Sequence, residues 1–222
     1  MIGIIVAMKN EFELMLKLMS DSQIKQIGHL TFAVGNINRK PAVLMQCGMG
    51  KVCAAIAARE MIEQFHPQYI INTGLAGGLD TKLSVMDIVV GKDVVYHDVW
   101  CGEGNEWGQV QGLPRFFDAD RDLYGKAMSL KVEGLSLKGG LQISGDRFIN
   151  AEDVPGLRSM YPEALAVDME SGALAQTCFR YGVPFISFRI ISDGCDESTY
   201  NDFWTKAPEN SFRLLRSYLD LL

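Results

Sequence analysis

Short, continuous apolar runs alternate along this chain with stretches whose apolar residues recur every three or four positions. The runs at 2–6, 69–73, 85–90 and 183–191 are rich in β-branched residues, and 139–143 is a further short run. Such runs are predicted strands, several of them covered on both faces. Residues 31–34 and 41–46 are two further predicted strands, joined by a turn at Asn36, Ile37 and Asn38, and 94–96 is another. The helical spacing of Phe12, Leu14, Met15 and Leu18 predicts a helix after the first strand. Further helices are predicted at 52–65, 119–130, 154–161, from Ser171 to about Tyr181, and at 210–222. This alternation points to an α/β fold with a largely parallel or mixed sheet. No Pro/Gly/Ser linker or repeat divides the chain, so one domain is expected over residues 1–222.

Polar residues gather where the predicted strands end. Asp168 and Glu170 flank Met169 ahead of a helix, and the strand 183–191 ends on Arg189, Ser192 and Asp193. Glu11 follows the first strand, Gly74 to Gly78 follow the strand at 69–73, and Ser144 to Asn150 follow the strand at 139–143. Acids also stabilise helix N-termini, and for Glu11, Asp168 or Glu170 taken alone that reading holds. Four or more strand ends carrying such residues favour a site, because open α/β sheets bind ligands there.

Other motifs fail on spacing. Gly48-Met49-Gly50-Lys51 is followed by Val52 and Cys53. It therefore lacks both the GxxxxGK[ST] phosphate loop and the last glycine of GxGxxG. His97 and Asp98 are weak metal candidates in a chain with three histidines.

Composition narrows the classes. Apolar residues make up 48% and charged residues 22% of the 222, as in soluble globular proteins. A net charge of −6 argues against an extended nucleic-acid surface. Five cysteines without a CxxC pair read as reduced, buried thiols of a cytoplasmic protein. The apolar start, residues 1–6, is too short to span a membrane and lacks the features of a signal peptide. The aromatic loop 100–117, with Trp100, Trp107, Pro114, Phe116 and Phe117, is the expected functional loop or interface.

Taken in order, these motifs resemble one family. Residues 3–8 with Glu11, Gly48 to Val52, Ile71 to Gly78, Tyr96-His97-Asp98, Ser144 to Asp146 with Phe148 to Asn150, Val167 to Glu170, and Ile191 to Asp193 look like the 5'-methylthioadenosine/S-adenosylhomocysteine nucleosidases of the purine and uridine phosphorylase superfamily. The resemblance covers essentially the whole chain. It implies a three-layer αβα sandwich around a mixed, partly barrel-like β-sheet, and a homodimer with the loop 100–117 near the neighbour's site. It also implies hydrolysis of an adenine–ribose bond without metal or redox cofactor. Asp193 would serve adenine N7, Glu11 would activate water, Glu170 would hold the ribose hydroxyls, and Arg189 would steady the carboxylates. Phe148 would stack on adenine and the Ile149 backbone would read its edge. Met169 would lie beneath the sugar, with Met8, Met49 and Tyr200 on the 5' side and Ala76, Gly77, Asp168 and Ser192 completing the pocket.

The chain departs from the family pattern at Asp168 (usually Glu), Leu75 (usually Ser) and Glu103 (usually apolar). Asn72 stands where the purine phosphorylases carry a phosphate-binding arginine, which favours water over phosphate as nucleophile. A phosphorylase or a catalytically silent nucleoside-binding protein are the alternatives.

Overall fold

The protein is described by a computed structural model covering residues 1–195 and 207–222. Strands β1 (Ile2–Val6), β4 (Lys40–Gln46) and β5 (Tyr69–Gly78) run parallel, with β1 between the other two. Beyond β4 lie β3 (Leu30–Ile37) and β2 (Ser20–Ile27), paired antiparallel. On its other edge β5 runs parallel to β10 (Phe185–Asp193), which pairs antiparallel with β6 (Ile88–Tyr96). Strands β8 (Leu137–Ser144) and β9 (Ala164–Asp168) follow in parallel, and β9 returns antiparallel to the end of β5. The short β7 (Phe117–Asp118) pairs with β6. Strands β5, β10, β6, β8 and β9 thus form a closed five-stranded ring, with β1, β4, β3 and β2 as a flange.

Helices cover both faces. Ile2, Ile4 and Val6 of β1 share one core with Met15, Leu123, Leu214, Leu215, Tyr218 and Leu219. These come from α1 (Lys9–Met15), α3 (Arg121–Ser129) and α6 (Ala207–Leu221). Ile5 of the same strand packs on the opposite side with Ala54, Ala57, Met61, Ala173, Leu174 and Cys178. Those residues belong to α2 (Lys51–Phe65) and α5 (Ser171–Tyr181). Strand side chains point alternately to opposite faces, so a continuous apolar run serves two helix layers at once. A smaller helix, α4 (Val154–Met160), packs through Val154 and Leu157 near Val95 and Ile143. The layered, mixed and partly closed sheet agrees with the expected architecture.

Several boundaries differ from the sequence reading. β2 was not expected: its sequence SDSQIKQI is polar and almost wholly exposed, so it carries no apolar signal. β3 runs on through Asn36 and Ile37, and the turn falls at Asn38 and Arg39, both with positive φ. The strands expected at 85–90 and 94–96 are a single strand, β6, whose register with β8 shifts between Gly91 and Asp93. That irregularity lets one strand interrupt its apolar run without ending. Two cysteines expected to be buried, Cys53 and Cys101, are exposed, whereas Cys47, Cys178 and Cys195 are buried.

Candidate active site

The site forms where β5 changes partner. Its first half pairs with β1 through Asn72, whereas Gly77 and Gly78 pair with β9. Between these contacts one edge of β5 is released, and a cleft with about 650 Å3 of empty space, its mouth included, opens there. This is the size of small-molecule sites, at the kind of topological switch point where open sheets place ligands.

Six segments line it. Ala7, Met8 and Glu11 come from the β1–α1 junction, Met49 from the β4–α2 turn, and Leu75, Ala76 and Gly77 from β5. Arg147, Phe148 and Ile149 follow β8, Val167, Asp168, Met169 and Glu170 span the β9–α5 junction, and Arg189, Ser192 and Asp193 belong to β10. The cleft therefore gathers the residues singled out in the sequence, apart from Tyr200, which lies outside the described residues. Ala7, Val167 and Arg147 lie within the motifs read from the sequence but carry no site role there; each adjoins a residue that does.

Glu11 serves the helix and the cleft at once. Its Oε2 accepts hydrogen bonds from the backbone N–H groups of Met8 at 2.9 Å and Ala7 at 3.2 Å, so the helix-capping role is real. Its buried Oε1 has no hydrogen-bond partner among the described residues. Burial, partly offset by the Met8 N–H and by Arg189, raises its pKa to about 7. A carboxylate with one free oxygen and a pKa near neutrality is suited to take a proton.

Arg189 is the buried hub, 1% exposed. Its Nη2 donates to Asn72 Oδ1 at 2.5 Å and pairs with Asp168. Its Nη1 donates to the Leu75 carbonyl at 3.4 Å and lies 3.6 Å from Glu170 Oε2. Asn72 is itself anchored by donating to the Ile5 carbonyl at 3.0 Å. Asp168 also accepts from the Ser171 hydroxyl at 2.8 Å and from its N–H at 3.1 Å. Thus Asp168 lines the cleft with its oxygens committed to Arg189 and to the start of α5. The shorter side chain suffices for that duty.

Gly74 explains why this hub tolerates no larger neighbour. A Cβ there would lie 2.6 Å from Arg189 Nη1 and 3.3 Å from Glu11 Oε1. The glycine run of β5 is strand as far as Gly78, and the small residues admit side chains of β10 and α1 against the backbone.

Glu170 precedes α5. Its Oε1 accepts from the Gly50 N–H at 3.1 Å. Burial, opposed by Arg189, raises its pKa to about 6. Asp193 ends β10, 3% exposed. Its Oδ2 accepts from the Ser192 hydroxyl at 2.6 Å and its Oδ1 from the Cys195 N–H at 2.7 Å. Met169 is half-buried, whereas Met49 and Phe148 are exposed at the cleft. Leu75 packs partly against the core while facing the cleft.

The other candidates lie elsewhere. His97 is buried, which lowers its pKa, and its Nε2 has no partner among the described residues. Asp98 is paired with Lys51. Among the described residues no group of three or more His, Cys, Asp or Glu side chains is placed to hold a metal. No described helix is long and apolar enough to cross a membrane. Glu103 is exposed in the loop after β6, away from the residues that line this chain's cleft.

Comparison with known proteins agrees with this geometry. The family described as the phosphorylase superfamily matches residues 1–220. A 5'-methylthioadenosine/S-adenosylhomocysteine nucleosidase of Staphylococcus epidermidis is 41% identical over 217 residues, 95% of each chain. The crystal structure of the nucleosidase of the same name from Neisseria meningitidis, in complex with methylthio-immucillin-A, superposes with a TM-score of 0.96 at 36% identity, covering 100% of this chain and 99% of that one. The futalosine hydrolase of Helicobacter pylori superposes with a TM-score of 0.94 at 30% identity, covering 100% and 97%. This chain belongs to the 5'-methylthioadenosine/S-adenosylhomocysteine nucleosidase family within the phosphorylase superfamily.

Proposed function

We propose that this protein hydrolyses the N-glycosidic bond of a 5'-substituted adenosine, releasing adenine and the free sugar. The observation that carries the reading is the shared cleft of Glu11 and Asp193, with the Glu170–Arg189–Asp168 cluster lining it too. As the C1'–N9 bond breaks, the sugar gains oxocarbenium character and adenine gains negative charge. Asp193, held by Ser192 and Cys195, would give its proton or a short hydrogen bond to adenine N7. Glu11 would take a proton from the water whose oxygen bonds to C1'. Glu170 would hold the ribose hydroxyls, with its charge close to the developing cation. Phe148 and Ile149 would receive the base, and Met8, Met49 and Met169 the sugar and its 5' group.

Water is preferred to phosphate on electrostatic grounds. Phosphorolysis needs cationic donors available to the anion. Arg189 is already engaged with Asp168, Glu170, Asn72 and Leu75. The other arginine lining the cleft, Arg147, is paired with Asp153. Adenine release from methylthioadenosine, S-adenosylhomocysteine, 5'-deoxyadenosine, adenosine and AMP, with and without phosphate, tests the proposal. Phosphate-independent release of a free sugar is expected. Formation of a ribose 1-phosphate would identify a phosphorylase, and tight nucleoside binding without turnover a silent homologue.

The homodimer is part of the same proposal. Trp100, Trp107 and Phe116 are exposed in the loop after β6, and Val52 and Ile56 on α2. Trp100 stacks on Trp107 with centroids 5.7 Å apart, a preformed apolar surface. In a dimer covering this surface, Glu103 would enter the neighbour's 5' region and favour a polar substituent. Light scattering showing a fully active monomer would refute it.

A further inference from the structure

Two segments that feed the cleft, the β4–α2 turn and the stretch after β8, are tied to the segment after β6 by a ring of charged and backbone groups. Lys51 opens α2, Asp98 follows β6 and Asp146 follows β8. Lys51 Nζ donates to both oxygens of Asp98, at 2.9 and 2.8 Å. Asp98 Oδ2 accepts from the Asp146 N–H at 2.8 Å. Asp146 Oδ1 accepts from the Lys51 N–H at 2.6 Å, which closes the ring. Burial works to raise the Asp98 pKa, but the Lys51 and Asp146 donors outweigh it and hold the carboxyl below its ordinary value.

Gly50 sits inside this clasp. It has φ +89°, and a Cβ there would lie 2.7 Å from Asp146 Oδ1. The backbone so constrained presents the Gly50 N–H to Glu170 Oε1. On the other arm, Asp146 directly precedes Arg147, Phe148 and Ile149 of the cleft. The Lys51 and Asp98 side chains are 23% and 25% exposed. A pair so accessible adds little to global stability, so its main consequence is geometric.

We propose that Asp98 is a positioning residue: through Lys51 and Asp146 it sets the turn at Gly50 so that the Gly50 N–H holds the Glu170 carboxylate in register with the segment 147–149. The importance of Glu170 to turnover rests on the nucleosidase reading; its placement by the clasp does not. The charged and titratable groups around Glu170 are Arg189 of β10, Asp168 of β9, Glu11 of α1 and Cys47 after β4, with N–H bonds from Gly50 and Met169. Substitution at residue 98 or 51 leaves these side chains in place and perturbs the Gly50 donor, which favours the ionised carboxylate.

The test compares wild type, Asp98→Ala, Lys51→Met and Lys51→Arg as full chains. The Glu170 carboxyl is titrated by 13C NMR, beside thermal melting and the pH profile of adenine release. Both disrupting variants are expected to bind a proton at Glu170 about tenfold more tightly, a pKa about one unit higher. The acid limb of kcat/KM should move the same way, with melting nearly unchanged and Lys51→Arg close to wild type. Lys51→Met retains every backbone donor and decides the matter if Asp98→Ala does not fold. A wild-type Glu170 titration in the folded disrupting variants overturns the proposal. So does a large loss of melting temperature in Lys51→Met, which would make the clasp merely structural. Because the NMR titration needs no turnover, a wild-type chain that releases no adenine sinks the functional reading and leaves this result to be judged alone.

Discussion

Replacing Glu11 by Gln should abolish most turnover and yet make the fold more stable, by an amount that depends on pH. Burial raises the Glu11 pKa from 4.5 to about 7. At ~1.4 kcal/mol per pH unit, ionised Glu11 destabilises the native state by about 3 kcal/mol. Below pH 4.5 the carboxyl is protonated in both folded and unfolded chains, so the penalty is absent. Between 4.5 and 7 the unfolded chain ionises while the folded one does not, and native stability falls as pH rises. Above 7 the whole penalty is present. Gln keeps a carbonyl oxygen that can accept from the Ala7 and Met8 N–H groups, so the helix start survives. Loss of the attraction to Arg189 offsets part of the gain. We expect Glu11→Gln to be more stable by about 2 kcal/mol at pH 8, roughly 4–8 °C in melting temperature for a chain of this size. At pH 4 the difference should vanish. Adenine release, followed by absorbance, should fall by ~10²–10⁴, the usual contribution of a positioned general base. Equal stabilisation at both pH values, or activity within threefold of wild type, would refute the assignment of a buried, neutral-range base.

Further outcomes follow from the same geometry. Asp193→Asn should lower kcat by ~10²–10⁴ while leaving nucleoside affinity, measured by calorimetry, within about tenfold, because its task is proton donation to the leaving base. Arg189→Met should destabilise the fold by about 3–5 kcal/mol in denaturant titrations, since Asp168 and Glu170 would keep buried charge without a partner. Gly74→Ala should lose activity and about 1–3 kcal/mol of stability, because Arg189 is clamped and cannot yield to the added methyl. In wild type, kcat/KM should decline as pH falls through the range about 7 to 6, where Glu11 and Glu170 take up protons; a profile flat down to pH 5 would contradict their roles.

The polar residues that meet in the cleft could be named from the chain because strand ends are local features. A run such as 185–191, continuously apolar except for Ser187 and Arg189, followed by Ser192 and Asp193, announces a buried strand releasing polar groups. What local pattern cannot convey is which oxygen of a carboxylate is free. Glu11 reads equally well as a helix cap and as a base, and the fold commits one oxygen to the cap and leaves the other without a hydrogen-bond partner among the described residues, as the proposed base would need. Asp168 reads as a site acid, but Arg189 and Ser171 take its oxygens. Polar β2 and the bulged β6 escaped a pattern-based reading because hydrogen bonding to neighbours, rather than burial, holds the first in place, and a register shift carries the second past its interruption.

The order of apolar runs and helical spacings, set by which side chains must leave water, determined by itself the α/β class and the strand ends where a site had to lie. Only the tertiary structure decided that β5 would leave β1 for β9 and open a cleft there. Only packing at long range put Arg189 between Asp168, Glu170 and Asn72, and joined Lys51, Asp98 and Asp146 in one ring. Burial and the company of distant charges set the pKa of a carboxyl group, and neither is a property of the residue or its neighbours in the chain.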